Sequence, residues 1–404
     1  MMRQLQLERR TVVVFTLFVV SLFATDIRAS VVSVGCPGSS GTFDFTSVND
    51  AVSSLAAAGR HDHAIIISGT CTEVVFLRDW DNLLLIGTTG AGIFAPSDPG
   101  GQIGIIEIVD SKQIEVSGLR LLGSGTDGLG PMFIKNSSVN VFQCTLENGG
   151  ALAGGGMFVQ GHSDVLIHAS TIQNNSPSGI RIDGPATVQV GDVNAAQEPV
   201  PTVIQGNDIG LWARGSGIVG IEGRTIVRNN GIGVQVSGGQ AIFCCDDGQR
   251  QVLNNQIGVF ALTGGKLETI GPLLVEGNQL GIAIGGGSAT IGGGNMIRQN
   301  GGGIQVRFSS SLRLSDGAVL QNSQFGITVR DNSSAIINNE NVSGNPDGIR
   351  VFILSSAAII GPGTIVGNAN ADLTCSPESL AYGDKTAIGK MHCPHFDVDP
   401  FPAH

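Results

Sequence analysis

Charge is scarce in this chain, and basic charge is scarcer. Only 14% of the 404 residues are Asp, Glu, Lys or Arg, and 33 acids outnumber 22 Lys and Arg. No basic run is longer than the Arg9-Arg10 pair, and the formal net charge is −11. That balance excludes the electrostatic footprint with which proteins hold nucleic acid or anionic membrane. After the N-terminal leader no apolar run reaches the length of a membrane helix, so no integral membrane segment is expected once the leader is removed. Disorder is excluded as well, because it needs low hydrophobicity together with high charge, and 41% of this chain is hydrophobic. No cofactor motif and no familiar metal-ligand spacing occurs, so neither a cofactor nor a metal is expected.

What the chain has instead is glycine, 60 residues of 404 and about twice the usual share of roughly 7%. With Val and Ile plentiful, this fits many short buried strands joined by tight turns. Nine asparagines set the interval: Asn175, Asn207, Asn230, Asn255, Asn278, Asn300, Asn322, Asn345 and Asn368. Seven of the eight gaps are 22, 23 or 25 residues and one is 32. A Gly and an apolar residue follow most of them, as in Gly233-Val234, Gly258-Val259 and Gly326-Ile327. A constant period in this range means a stacked repeat. Each unit holds three short alternating strands, which predicts an all-β, right-handed parallel β-helix of about 11–13 coils of ~23 residues. The Asn column is expected to occupy the left-handed turn position of each coil and to form a ladder of stacked amides.

The ends differ from the array. Residues 1–29 read as a signal peptide, with Arg3, Arg9 and Arg10 before the apolar run Thr11 to Ala24 and small Ala29 at the cut. The leader carries four Arg and two acids, so its removal takes the net charge from −11 to −13. Residues 30–73 are expected to be an N-terminal cap with a short helix, opened by Thr46 or Ser47 and ended by Gly59. Residues 74–371 form the β-helix, and residues 372–404, rich in Pro, form an irregular C-terminal cap. A secreted, periplasmic or cell-surface monomer is the expectation, and it permits disulfides. Cys36 with Cys71 and Cys375 with Cys393 read as end staples. His392 and His395 beside the second pair leave a zinc site open as the alternative. Cys144 reads as a buried free thiol. Cys244 and Cys245 are adjacent in sequence, where a disulfide is strained.

The outward positions of the Gly-Ile-x-Val-x strand can be read coil by coil. They place Phe133 and Lys135, Phe158 and Gln160, Arg181 and Asp183, and Trp212 and Arg214 in two files. Lys135, Arg181, Asp183, Trp212 and Arg214 are therefore the candidate substrate-binding set, with an acidic polysaccharide as partner. A solvated face of cross-coil pairs accounts for the same residues. Two interruptions of the period, Asn148 to Gly156 and Gly191 to Pro201, are candidate loops beside it. His162-Ser163-Asp164 lacks the surroundings of a catalytic triad, and no catalytic residue can be assigned.

The opening Asp44 to Val52 and the stretch Gly69-Thr70-Cys71-Thr72-Glu73 resemble the start of the right-handed parallel β-helix superfamily that includes pectate lyases. The resemblance covers roughly residues 40 to 370 and implies the fold. It implies no reaction, because the Asn-Thr-Asp and Gly-His-Gly signatures of galacturonases, the Asp-Pro-His of mannuronate epimerases and the calcium-binding acids of pectate lyases are absent. The function expected is glycan binding or a structural rod without catalysis. The alternative is a lyase, hydrolase or epimerase acting on an acidic polysaccharide.

Overall fold

The computed structural model describes residues 30–98, 100–125, 128–150, 154–191, 200–244 and 250–398. The expected leader, Cys245 and the middle of the 191–201 insertion lie outside them. Strands recur in a fixed order, which we name sheet A, sheet B and sheet C, coil after coil. Among the described residues the three sheets hold 16, 13 and 14 strands respectively, each strand pairing with its counterpart one coil away. The pairing is parallel, as in Arg181↔Trp212↔Gln235↔Phe260. This is the expected right-handed parallel β-helix, the hand in which parallel crossovers wind. Among the described residues no helix is long and apolar enough to cross a membrane.

The alternation predicted from sequence puts one side chain in two into the interior. In sheet C the inward file runs Ile180, Leu211, Val234, Val259, Ile282, Ile304, Ile327 and Ile349, all fully buried. Each such side chain contributes roughly 1.5–3 kcal/mol on burial. A coil has no layer of its own to cover this file, so the next coil supplies it.

The corner from sheet B to sheet C carries the asparagines, all buried. Each Nδ2 donates to the Oδ1 of the next Asn at 2.9–3.0 Å. Each backbone N–H donates to that same oxygen at 2.8–3.0 Å. The second amide hydrogen goes back to a carbonyl of the preceding coil, as from Asn278 to Val252 at 3.1 Å. The ladder starts at the Gly149 N–H, 2.8 Å from Asn175 Oδ1, and ends on Asp372, whose Oδ1 accepts from the Asn368 amide at 2.7 Å.

One expectation is corrected here. The ladder residues do not have positive φ. The residue before each one does: Asn174, Asn229 and Asn254 at 55°, 54° and 53°, Gln299 and Gln321 at 54° and 53°, and Gly206, Gly277, Gly344 and Gly367 at 67–73°. The turn needs its left-handed residue on the exposed side, whereas the ladder amide must point inward. The two jobs fall on adjacent positions. The glycine that follows has a steric reason instead. A Cβ at Gly258 would lie 2.5 Å from the Gly281 carbonyl oxygen and 3.2 Å from Asn278 Nδ2.

The N-terminal helix is Val48–Ala58, with Ser47 as N-cap accepting from the Asn49 and Asp50 N–H groups. Glu73 reaches the same helix end: its carboxylate accepts from Val48 N at 2.8 Å and from Ser47 Oγ at 2.9 Å. Strand pairing is present inside both expected cap regions. Strand Ser30–Gly35 joins sheet A beside His61–Ser68. Ala371–Cys375, Leu380–Gly383 and Phe396–Val398 extend sheets C and A beyond 371. The Asn-Gly signature lapses there because Asp372 closes the ladder, while strand pairing continues. Cys36–Cys71 and Cys375–Cys393 are disulfides, with Cα atoms 5.0 and 4.5 Å apart. Cys244 is also disulfide-bonded. Cys144 is free and buried, and burial pushes its thiol up to about 12.

At the corner from sheet A to sheet B, Glu340 is buried. Its Oε2 accepts from Gly317 N at 3.0 Å and its Oε1 has no hydrogen-bond partner. Burial first, and the Asp316 charge second, push this carboxyl up to about 8.

Four outcomes follow from this architecture. Asn278→Ala leaves the Asn255 backbone N–H and side-chain amide without their acceptor, so urea denaturation should show a loss of about 2–5 kcal/mol. Asn254→Gly, at the exposed left-handed position, should change stability by no more than about 1 kcal/mol. Stability should be fullest below the ordinary carboxyl value of 4.5 and fall as pH rises toward 8, by at most ~1.4 kcal/mol per pH unit from this group, and Glu340→Gln should flatten that fall. Cys144 should resist iodoacetamide at pH 8 in the folded protein and react on unfolding, read by mass spectrometry.

Candidate functional site

The expected binding set lies on the outer face of sheet C. Register puts Phe133, Phe158, Arg181 and Trp212 in one file and Lys135, Gln160, Asp183 and Arg214 in the next. The first file stacks two phenylalanine rings, a guanidinium and an indole. The Phe133 and Phe158 ring centres are 5.7 Å apart, and the Arg181 guanidinium lies 4.7 Å from the Phe158 ring and 5.4 Å from the Trp212 ring. Arg214 lies 4.7 Å from the same indole.

Asp183 sets the orientation of the cations. It accepts from Arg181 Nη2 at 2.7 Å and Nε at 3.3 Å, and Arg214 Nε stands 3.8 Å from the Oδ1 that takes the second of these bonds. Arg181 is thus held from three directions, whereas the Arg214 side chain keeps 41% exposure. The Trp212 indole N–H is buried with no acceptor. Lys135 stands apart. It is exposed, two coils from Asp183, which is roughly 10 Å at ~4.8 Å per coil.

Phe133 and Phe158 point outward as read from sequence, yet they are only 7% and 8% exposed. Val109 and Ile103 pack on them, and Gly154 of the 148–156 swelling lies against Phe158 and Arg181. That swelling sits at the corner from sheet B to sheet C and borders the patch. The described ends of the 191–201 insertion lie at a different corner. Its flanks join strand Thr187–Val190 of sheet A to Val203–Gln205 of sheet B, a corner that sheet C does not share. The long gap in the asparagine period marked an insertion but not the side of the coil on which it leaves.

Other constellations have structural duties. Ser163 of His162-Ser163-Asp164 donates to Gln160 O at 2.6 Å and accepts from Ser137 N at 3.2 Å, in a serine file at the corner from sheet C to sheet A. His63 is buried and within 2.8 Å of Gly59 O. Cys36, Cys71 and Glu73 cluster like metal ligands, but the two sulfurs are bonded to each other and Glu73 caps the helix. The zinc alternative at the tail loses its thiols to the Cys375–Cys393 bond. Glu73 was visible in the Gly-Thr-Cys-Thr-Glu stretch, but its reach to the helix end was not.

No family model matches this chain, and no curated protein does. Solved structures do. The chain is similar to the periplasmic alginate epimerase AlgG, with 13% identity over 83% of this chain and 77% of that one and a TM-score of 0.36. It is similar to the A-module of the Azotobacter vinelandii mannuronan C-5 epimerase AlgE4, with 12% identity, 87% and 94% coverage and a TM-score of 0.42. It is also similar to PfbA, a surface adhesin of Streptococcus pneumoniae, with 13% identity, 87% coverage of both chains and a TM-score of 0.36. At these identities the likeness is one of winding, and chemistry must come from the side chains.

Proposed function

We propose that this protein is a secreted, periplasmic or cell-surface monomer that binds an acidic polysaccharide on the outer face of sheet C without altering it. The observation that carries the reading is the stack Phe158–Arg181–Trp212–Arg214 around Asp183. Asp183 and Phe158 fix Arg181, and Arg181 in turn lies over Trp212, so the indole is held in place before any ligand arrives. Pre-organised aromatic surface of this kind loses little entropy on binding. Arg214, the more exposed of the two arginines, supplies the charge for a uronate carboxylate. Asp183 accepts from Arg181 and faces Arg214, an arrangement that suits a positioning carboxylate rather than one of a pair of catalytic acids. The two described end disulfides fit an oxidising compartment.

The test is titration with polygalacturonate, polymannuronate and neutral glucan by calorimetry, with 4,5-unsaturated uronate absorbance and reducing ends followed in parallel. A uronate polymer should bind. Trp212→Ala should weaken it by about 30-fold or more and Arg214→Gln by about tenfold, with neutral glucan silent. Accumulating unsaturated product or new reducing ends would replace this reading with an enzyme. Unchanged affinity in Trp212→Ala would remove the site.

A further inference from the structure

Farther along the same face of sheet C stands a second group of cations, whose Nε–H groups the protein leaves without an acceptor. Arg307 lies four coils beyond Arg214, roughly 19 Å at ~4.8 Å per coil. Arg330 is its direct neighbour in the next coil, because Val306 pairs with Val329 and Arg330 N donates to Val306 O. Like charges side by side in a sheet repel. Arg350 shows how this face normally settles a cation: its Nε donates to Asp347 at 3.0 Å. Arg307 has no acid partner among the described residues. Its guanidinium lies 4.9 Å from the Phe308 ring, and its Nε–H is buried without an acceptor. Arg330 Nε is 3.5 Å from Asp331 yet also lacks a hydrogen bond.

A third group in the same place is unpaired. Thr328, two residues before Arg330, is 6% exposed and its hydroxyl has no partner. Three of the seven unpartnered buried side-chain atoms among the described residues therefore fall on two adjacent coils of one face. A buried polar group without a partner costs about 1–3 kcal/mol. The turn beside them is strained. Phe308 and Ser309, Asp331 and Asn332, and Ile353 and Leu354 all have φ between 55° and 61° in three successive coils, although none is glycine. A β-branched residue such as Ile353 is rare in that region, and strain of this kind concentrates where a site is being shaped. It leaves the Phe308 ring 56% exposed next to Arg307.

We propose that Arg307, Arg330 and Thr328 form an oxyanion site that takes the carboxylate or sulfate of an acidic saccharide, with Phe308 against the sugar ring. One oxyanion between the guanidiniums removes their repulsion and gives the two Nε–H groups and the hydroxyl an acceptor. No bond is made or broken. The site is separate from Trp212 and stands whether or not that patch binds.

The full-length protein would be titrated with sodium sulfate, a galacturonate oligomer and a heparin-derived oligosaccharide, with calorimetry and the arginine Nε–H resonances as readouts. Arg307 and Arg330 Nε–H signals should shift, and Arg307→Gln or Arg330→Gln should weaken binding at least tenfold. Thr328→Val should weaken it about threefold to tenfold, and Trp212→Ala should leave these two signals responsive. Arg307→Lys keeps the charge and loses the fork, so it covers the case in which the glutamine variants fail to fold. The galacturonate and heparin arms decide between carboxylate and sulfate. Binding of free sulfate alone would overturn the saccharide assignment. No shift with any of the three probes, or equal affinity in all variants, would overturn the site.

Discussion

A buried amide that can be satisfied only by the next coil is the constraint on which this molecule is built. Each ladder asparagine between the two ends gives one hydrogen to the Asn above, one to a carbonyl below, and takes two on its oxygen, so none of its polar capacity is left over. Sliding one coil by a single residue would strand both groups in a water-free interior and turn every apolar side chain outward. Stacking and register are thus one requirement. Hydrophobic burial supplies the drive, and the ladder makes the stacking specific.

That register governs the surface as well as the core. Outward residues of successive coils fall into straight files spaced ~4.8 Å apart, a distance at which aromatic and guanidinium planes can stack. In a chain with few charges the fate of each arginine is therefore visible. On sheet B the file closes on itself, with Gln205 donating to Gln173 and Arg228 to Gln205. On sheet C, Arg181 is held by Asp183 and two rings, while Arg307 has no acid partner among the described residues and Arg330 Nε stands 3.5 Å from Asp331 without a hydrogen bond. Files of the same geometry thus differ in how far the protein itself satisfies their cations.

Much of this was legible beforehand. The period, the inward files, the cap helix and the two outward files all follow from spacing, because side-chain direction in a strand is fixed by parity. Three matters were not. Which of two adjacent positions takes the left-handed turn is decided by burial: Asn229 is exposed and Asn230 buried, though both are asparagine. Where the 191–201 insertion leaves the coil depends on which corner it interrupts. Whether Phe133 and Phe158 reach solvent depends on what packs over them, and Gly154 lies in a segment without periodicity.

The amino-acid sequence by itself determined that this chain coils, at what interval, and which side chains face in or out, since those properties are local and repeat. Only the tertiary structure decided which outward groups are already paired. Pairing is decided by side-chain distances of a few ångströms that spacing along the chain does not fix, and a hydrogen bond at 2.7 Å and an unpartnered Nε–H are both made by arginine.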